Sequence, residues 1–322
     1  MRPIALTELL DSVEQQTVYP DEIIIVDGST NNETKQALEN KDYPNLRYTQ
    51  VNDEQRGLTK QRNIGIGLVS KDMEVVCFVD DDTILHKDYF KNCIEIFKNN
   101  SKITGVGGVA VNENKWEKNE NGDNSQSYFY LDGYKVKLSS RFLLRKKLGL
   151  MSSQYSNTMP RFSHGNTQSF PLNAKMYEVD LLIGMSMAFR KVVVDNQKFS
   201  EYFEGYGLYE DADYSIRALK FGKNVISTNV QLEHHHHPSG RPNQFKYGKM
   251  MIRNGWYVWR LRWPHPGFKN VVTWYVINCL LAFIRLTNAL NPKEFKKAGS
   301  EFIGRIVGML SLAFNKPKII RD

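Results

Sequence analysis

Continuous apolar runs alternate with amphipathic segments along the first part of the chain. Residues 22–26 and 74–79 are apolar runs of strand length, and each leads into a polar turn and a segment with helical spacing. Buried strands that alternate with amphipathic helices are typical of sheets with helices on both faces. We therefore predict an α/β fold with a Rossmann-like, mostly parallel sheet. The apolar positions of the opening helix are Leu6, Leu9, Leu10 and Val13.

The pattern divides the chain into three parts. Residues 112–180 are polar, irregular and rich in Ser, Asn and Tyr, which indicates a variable insertion or lid. A strand, a helix and a second strand follow, so we predict one α/β domain over residues 1–262. Residues 263–322 are predicted to form a basic amphipathic helical tail. The elements after the insertion are predicted at residues 183–189, 211–221 and 224–232.

Composition excludes a disordered or fibrous protein and changes how the charge is interpreted. The 322 residues are 41% hydrophobic and 24% charged, as in globular proteins, with a net charge of +8. From Phe245 onward there are 14 Lys and Arg against three acidic residues, a net charge of +11, so the rest carries −3. Three scattered cysteines and the lack of a basic-then-apolar leader predict a reducing, cytoplasmic location.

The basic tail is also apolar, which changes its expected partner. Residues 271–284 carry no charge between Lys269 and Arg285, but they are short for a membrane span of ~20 residues. Basic residues with aromatics on amphipathic helices favour attachment to an anionic membrane surface, at the inner face of the cell membrane. A helical hairpin packed on the α/β domain is the alternative. Binding of nucleic acid is not expected, because the tail has no nucleic-acid recognition motif. A small-residue stripe permits close helix packing at Ser300, Gly304 and Gly308.

Three carboxylates, Asp80, Asp81 and Asp82, follow the second apolar strand. They repel one another unless a cation neutralises them, and oxygen ligands suit Mg²⁺ or Mn²⁺. The alternative is a solvated helix N-terminus, where acidic residues are also favoured. The triplet alone supports both interpretations equally.

A second acidic pair, Glu210 and Asp211, begins a predicted helix after a glycine-rich turn. A carboxylate at such a position can act as a general base on a hydroxyl, although a helix-terminal acid is the simpler interpretation. His234 to His237 follow the next strand, and one imidazole can complete a metal site while the others are solvated.

In combination, these motifs resemble the family 2 glycosyltransferases, which have the GT-A fold. The similarity covers roughly the first four-fifths of the chain, and it lies in the order and spacing of the motifs rather than in any one of them. The matching segments are residues 9–13, 16–17, 20–30, 61–65, 80–82, 184–190 and 207–211.

The resemblance implies an inverting transfer of a sugar from a nucleotide diphosphate sugar to a hydroxyl of a glycan or lipid-linked acceptor, in the synthesis of a surface polysaccharide. It implies that Asp211 is the catalytic base and that Glu210 positions it or binds the acceptor. It also implies a Mg²⁺ or Mn²⁺ site of Asp80, Asp82 and His234. The implied donor-binding residues are Asp27, Gly28, Arg56, Arg62, Asp80 and Asp81. The implied acceptor-binding residues are Gly184, Tyr206 and Gly207.

Two departures from the family pattern leave alternatives open. The chain begins Met1-Arg2-Pro3, as though the usual first strand were missing. Either the start of the sequence is assigned too late, or the strand is absent, so a truncated, catalytically incompetent membrane-associated protein is the second hypothesis. Gly28 stands where many members carry an Asp that contacts the base, which weakens a prediction of a UDP-sugar. A sugar nucleotidyltransferase is a third hypothesis, disfavoured because a glycine-rich phosphate loop is absent.

Overall fold

The structure, a computed structural model, describes residues 2–39, 41–236 and 242–321. Its helices are α1 (Pro3–Glu14), α2 (Glu33–Glu39), α3 (Leu58–Leu68), α4 (Tyr89–Asn99), α5 (Ser140–Lys147), α6 (Lys191–Asn196), α7 (Glu210–Ala218), α8 (Gln244–Arg262), α9 (Phe268–Thr287) and α10 (Phe295–Phe314). Its strands are β1 (Ile23–Asp27), β2 (Leu46–Gln50), β3 (Val75–Val79), β4 (Thr83–Leu85), β5 (Ile103–Ala110), β6 (Glu117–Lys118), β7 (Tyr128–Leu131), β8 (Tyr134–Lys137), β9 (Met176–Val179), β10 (Ser186–Arg190) and β11 (Lys223–His234).

The described residues divide into two compact units. The first contains residues 2–114 and 172–236, and the second contains residues 115–171 and 242–321. Helix α8, which the sequence analysis assigned to the α/β domain, therefore lies in the second unit with α9 and α10. The part of the predicted insertion that contains β9 belongs to the first unit.

The first unit contains a six-stranded mixed sheet in the order β3-β10-β5-β11-β4, with β9 also paired to β11. Strands β5 and β11 are parallel, whereas β10 is antiparallel to both of its neighbours, β3 and β5. The sequence predicted a mostly parallel sheet, and the sheet is mixed instead. The reason is that β10 follows the insertion and not a crossover helix, so no βαβ unit fixes its direction.

A smaller parallel sheet in the same unit consists of β1 and β2, with Ile23 opposite Leu46 and Asp27 opposite Gln50. Among the described strands, β1 pairs with β2 alone and β3 pairs with β10 alone. Both strands are apolar, yet all of β3 and most of β1 are only half-buried. One edge of each strand thus has no paired strand among the described residues.

The core of the first unit lies where helices α1 and α4 cover the sheet. The predicted apolar face of α1 is buried, and Tyr89, Cys93 and Phe97 of α4 are buried in the same cluster. Strand β5 is buried along its whole length. A Cβ at Gly105 of β5 would lie 2.3 Å from Asn224 Oδ1, so the side chain of the neighbouring strand occupies that space.

The second unit contains an antiparallel sheet in the order β6-β8-β7 and the helices α5, α8, α9 and α10. Helices α8 and α10 pack closely, because a Cβ at Gly304 would lie 2.1 Å from the Phe245 carbonyl oxygen. This contact confirms the close packing predicted at Gly304. Trp259 of α8 stacks on Trp274 of α9 with the ring centroids 5.4 Å apart, so the three long helices share one core.

Candidate active site

The acidic turn connects β3 to β4, the two strands at opposite ends of the strand order of the six-stranded sheet. Asp80 accepts a hydrogen bond from Arg62 Nη2 at 3.1 Å. Asp81 pairs with Arg2, and Asp82 Oδ2 accepts from Arg2 Nη1 at 2.8 Å. Burial raises the pKa of Asp81, and the neighbouring carboxylates raise it further while Arg2 lowers it. Two arginines therefore contact the three carboxylates, Arg62 at Asp80 and Arg2 at Asp81 and Asp82.

His234 lies beside this turn because β11 pairs antiparallel with β4, which places His234 opposite Thr83. Its Nε2 atom is 3.5 Å from Asp82 Oδ1, and this contact raises the pKa of His234. Asp80, Asp82 and His234 each offer a ligand atom, and these atoms all lie within 4.8 Å of one another. Two carboxylates and one imidazole are a donor set that fits Mg²⁺ or Mn²⁺.

Asp211 lies in the first turn of α7, and both of its carboxylate oxygens accept backbone hydrogen bonds. Oδ2 accepts from the Gly184 N–H at 3.0 Å, and Oδ1 accepts from the Ala212 N–H at 2.8 Å. Burial raises the pKa of Asp211, and these two N–H groups lower it. The helix N-terminus and Gly184 thus fix the carboxylate in one orientation.

Arg62 of α3 links the two acidic sites. It donates to Glu210 Oε1 at 2.6 Å, to Asp80 Oδ1 at 3.1 Å and to the Gly184 carbonyl at 3.3 Å. Burial raises the pKa of Glu210 to about 8, although Arg62 opposes the shift. The structure therefore brings Arg62, Asp80, Gly184, Glu210 and Asp211 into one network, although α3, β3 and α7 are far apart in sequence.

The remaining predicted donor residues are Asp27, the last residue of β1, Gly28 directly after it, and Arg56, which lies just before α3. Asp27 accepts hydrogen bonds from the Ser29 N–H at 2.8 Å and from the Tyr48 hydroxyl at 2.8 Å, so its carboxylate fixes the turn. Arg56 donates to the Gly28 carbonyl oxygen at 2.7 Å. A Cβ at Gly28 would lie 2.6 Å from Gln61 Oε1, so a larger residue there would require the Gln61 side chain to move.

The predicted acceptor residues Tyr206 and Gly207 lie in the turn before α7. Gly207 has a φ of 73°, in the left-handed region, and Tyr206 is exposed. The Gly207 carbonyl oxygen accepts a hydrogen bond from the Glu210 N–H at 2.8 Å, so this turn sets the start of α7. The turn therefore positions the acidic pair through the backbone.

Sequence reasoning missed two contributors to this region. Arg2 contacts Asp81 and Asp82 from about 80 residues away, and nothing in the local pattern around Arg2 signals that contact. Glu113 lies 3.0 Å from His234 Nδ1, and the His-x-His spacing of His234 and His236 was the available signal for a second ligand group. His237, also considered in the sequence, lies outside the described residues.

Comparison with known proteins agrees with this arrangement. Residues 3–160 match the family described as glycosyl transferase family 2. A glucosyl-dolichyl phosphate glucuronosyltransferase of Haloferax volcanii is 31% identical over 108 residues, which cover 33% of this chain and 34% of that protein. An O-antigen chain rhamnosyltransferase of Salmonella typhimurium is 29% identical over 90 residues, 28% of each protein. The chain thus spans 34% or less of the length of these curated relatives.

A solved structure matches over nearly the whole chain. A mannosyltransferase from Pyrobaculum calidifontis, in complex with GDP-Man and Mn²⁺, gives a TM-score of 0.51 at 13% identity, covering 97% of this chain and 84% of that one. This likeness concerns the fold, which is GT-A, and it confirms the predicted fold class.

Proposed function

We propose that this protein, whose residues 3–160 belong to glycosyl transferase family 2, transfers a sugar from a nucleotide diphosphate sugar to a hydroxyl with inversion at the anomeric carbon. The observation that carries the proposal is the Asp211 carboxylate, which two backbone N–H groups hold beside the network containing Asp80. A fixed carboxylate near a divalent-cation donor set suits attack by a hydroxyl on a diphosphate-activated carbon.

In the proposed reaction the acceptor oxygen bonds to the anomeric carbon, and the bond from that carbon to the diphosphate oxygen breaks. Asp211 takes the hydroxyl proton, and the nucleoside diphosphate leaves. A Mg²⁺ or Mn²⁺ held by Asp80, Asp82 and His234 would supply Lewis-acid neutralisation of the departing diphosphate. Arg62, which Glu210 also holds, keeps Asp80 and the Gly184 backbone in a fixed position relative to Asp211.

The proposed acceptor is a glycan or lipid-linked glycan of a surface polysaccharide. The support comes from the names of the two relatives, one acting on a glucosyl-dolichyl phosphate and the other on an O-antigen chain. An acceptor of that kind is available at a membrane, where the basic second unit would be drawn to anionic lipid. The proposed location is therefore the inner face of the cell membrane.

The test of the proposed function is release of nucleoside diphosphate from a panel of nucleotide sugars, with and without EDTA. We expect release with Mn²⁺ or Mg²⁺ and none with EDTA. Asp82→Asn should weaken Mn²⁺ binding at least about tenfold, whereas Asp72→Asn, an exposed control, should bind as the wild type does. Release of pyrophosphate would instead indicate a nucleotidyltransferase, and no release from any donor would indicate a non-catalytic protein.

Helices α9 and α10 of the second unit expose apolar side chains next to basic ones. Residues 268–290 form a segment long and apolar enough to cross a membrane by length and composition, a property that core helices of soluble proteins share. On α10, Leu310 is 63% exposed and Phe314 is 93% exposed. The exposed lysines of this region are Lys269, Lys293, Lys296, Lys297, Lys316 and Lys318. An apolar face with a basic rim suits the surface of an anionic bilayer.

The double substitution Leu310→Ser/Phe314→Ser should lower binding to phosphatidylglycerol-containing vesicles at least about tenfold, since each apolar side chain contributes about 1.5–3 kcal/mol when buried. Co-sedimentation measures the binding, and high salt should weaken it in the wild type. Leu148→Ser, an exposed apolar position of the same unit, is the control and should change little. Equal binding of the wild type to purely neutral phosphatidylcholine vesicles would contradict the role of the lysines.

A further inference from the structure

Two histidines at the end of β11 share one face of the extended chain. Alternate residues of a strand point to the same side, and the rings of His234 and His236 lie with their centroids 4.0 Å apart. His235 lies between them in sequence and instead contacts Glu233 Oε2, at 3.0 Å from its Nε2 atom. The His-x-His pair therefore presents two imidazoles together.

Glu113 completes this group from the chain segment after β5. Its Oε1 atom is 3.0 Å from His234 Nδ1 and 2.8 Å from His236 Nε2. The segment is held there because Asn112 donates to the His234 carbonyl at 2.9 Å and accepts from the His234 N–H at 3.0 Å. These two hydrogen bonds join the Asn112 side chain to the His234 backbone, just beyond the last paired residues of β5 and β11, and fix Glu113 beside the rings.

We propose that Glu113, His234 and His236 form a second cation site, selective for Zn²⁺ or a similar borderline cation. Their ligand atoms all lie within 4.8 Å of one another. Two imidazoles with one carboxylate are a zinc ligand set, and the exposed side leaves a fourth position for water. The carboxylate-rich group of Asp80 and Asp82 favours harder cations. We call the group of Glu113, His234 and His236 the outer site. We call the group of Asp80, Asp82 and His234 the inner site.

One imidazole ring belongs to both sites. His234 directs Nε2 towards Asp82, at 3.5 Å, and Nδ1 towards Glu113. A neutral imidazole has one nitrogen with a free lone pair, and the other nitrogen carries the proton. When Nδ1 binds Zn²⁺, Nε2 carries the proton and donates it to Asp82, so it cannot bind a cation at the inner site. Zn²⁺ at the outer site therefore weakens Mn²⁺ binding at the inner site, a consequence that rests on the proposed function.

The test measures Zn²⁺ and Mn²⁺ binding to the full chain by calorimetry, with the visible absorption of Co²⁺ as a probe of coordination. His236→Ala should weaken Zn²⁺ binding at least about tenfold and leave Mn²⁺ binding nearly unchanged. His235→Ala, the adjacent control, should leave both unchanged. Zn²⁺ should raise the apparent dissociation constant for Mn²⁺ in the wild type, and this antagonism should be lost in His236→Ala.

Asp80→Asn separates the two sites. It should weaken Mn²⁺ binding and leave Zn²⁺ binding in place, because Asp80 belongs only to the inner site. If Asp80→Asn removes Zn²⁺ binding while His236→Ala keeps it, Zn²⁺ enters the inner site and the proposal is wrong. Each measurement is of metal binding and needs no turnover. The outer site can therefore be tested even if the protein transfers no sugar.

Discussion

Asp211→Asn is expected to lower the rate of sugar transfer by about 10²–10⁴-fold, the range that a positioned general base contributes. The amide keeps the shape of the side chain, and its single oxygen can still accept from one of the two N–H groups, Gly184 or Ala212, but it cannot take the acceptor proton. Nucleoside diphosphate release at saturating donor measures the rate. Calorimetry should show that binding of donor and Mn²⁺ is retained.

Glu210→Gln is the matched comparison for this experiment. Burial raises the pKa of Glu210 to about 8, so the loss of its charge in a glutamine costs less than at an ordinary carboxylate. The amide oxygen can still accept from Arg62. We expect a loss of less than about tenfold for Glu210→Gln. Full turnover by Asp211→Asn, or a larger loss in Glu210→Gln, would remove Asp211 from the role of base.

The local pattern was sufficient for the elements that hold the acidic residues. The apolar runs predicted β1 and β3 to within one residue at each end, and the acidic pair at residues 210–211 does begin a helix. Both features depend on neighbouring residues alone, because a buried strand needs a continuous apolar run and a helix N-terminus favours carboxylates. The positions of the acidic groups along the chain were therefore predictable.

Other elements were missed for identifiable reasons. Strand β5 contains three glycines and does not have the composition of a strand, yet Gly105 is required because Asn224 occupies the space of its side chain. The hairpin of β7 and β8 turns at Asp132 and Gly133, which have φ values of 51° and 77°. An Asp-Gly pair between apolar alternating runs is a strong hairpin signal, so this element could have been predicted.

The contacts that make the site were not predictable from local pattern. Arg62 reaches Glu210 across 148 residues, and Arg2 reaches Asp82 across 80. Such contacts depend on strand order and direction, and the antiparallel β10, which follows the insertion, sets the position of Gly184 just before it. A charge pattern shows which groups need partners, but the topology decides which partners meet.

The buried ion pair of α7 gives the largest expected effect on stability. Asp213 and Arg217 are joined at 2.6 Å, with the Asp213 side chain fully buried and that of Arg217 nearly so. Asp213→Ala leaves the guanidinium buried without its carboxylate, with the Lys198 carbonyl still accepting at 2.8 Å. We expect the free energy of unfolding to fall by about 3–5 kcal/mol, measured by urea denaturation.

The matched control is Asp195→Ala, which removes the carboxylate of another i,i+4 pair. Lys191 and Asp195 are also joined, but Asp195 is largely exposed, so the expected change is about 0–1 kcal/mol. A further variant, Asp213→Ala/Arg217→Met, removes both charges and should recover a large part of the loss, because the cost arises from an uncompensated buried charge and not from missing contacts. Equal losses in the single and double variants would attribute the effect to packing at the start of α7, where Asp211 is held.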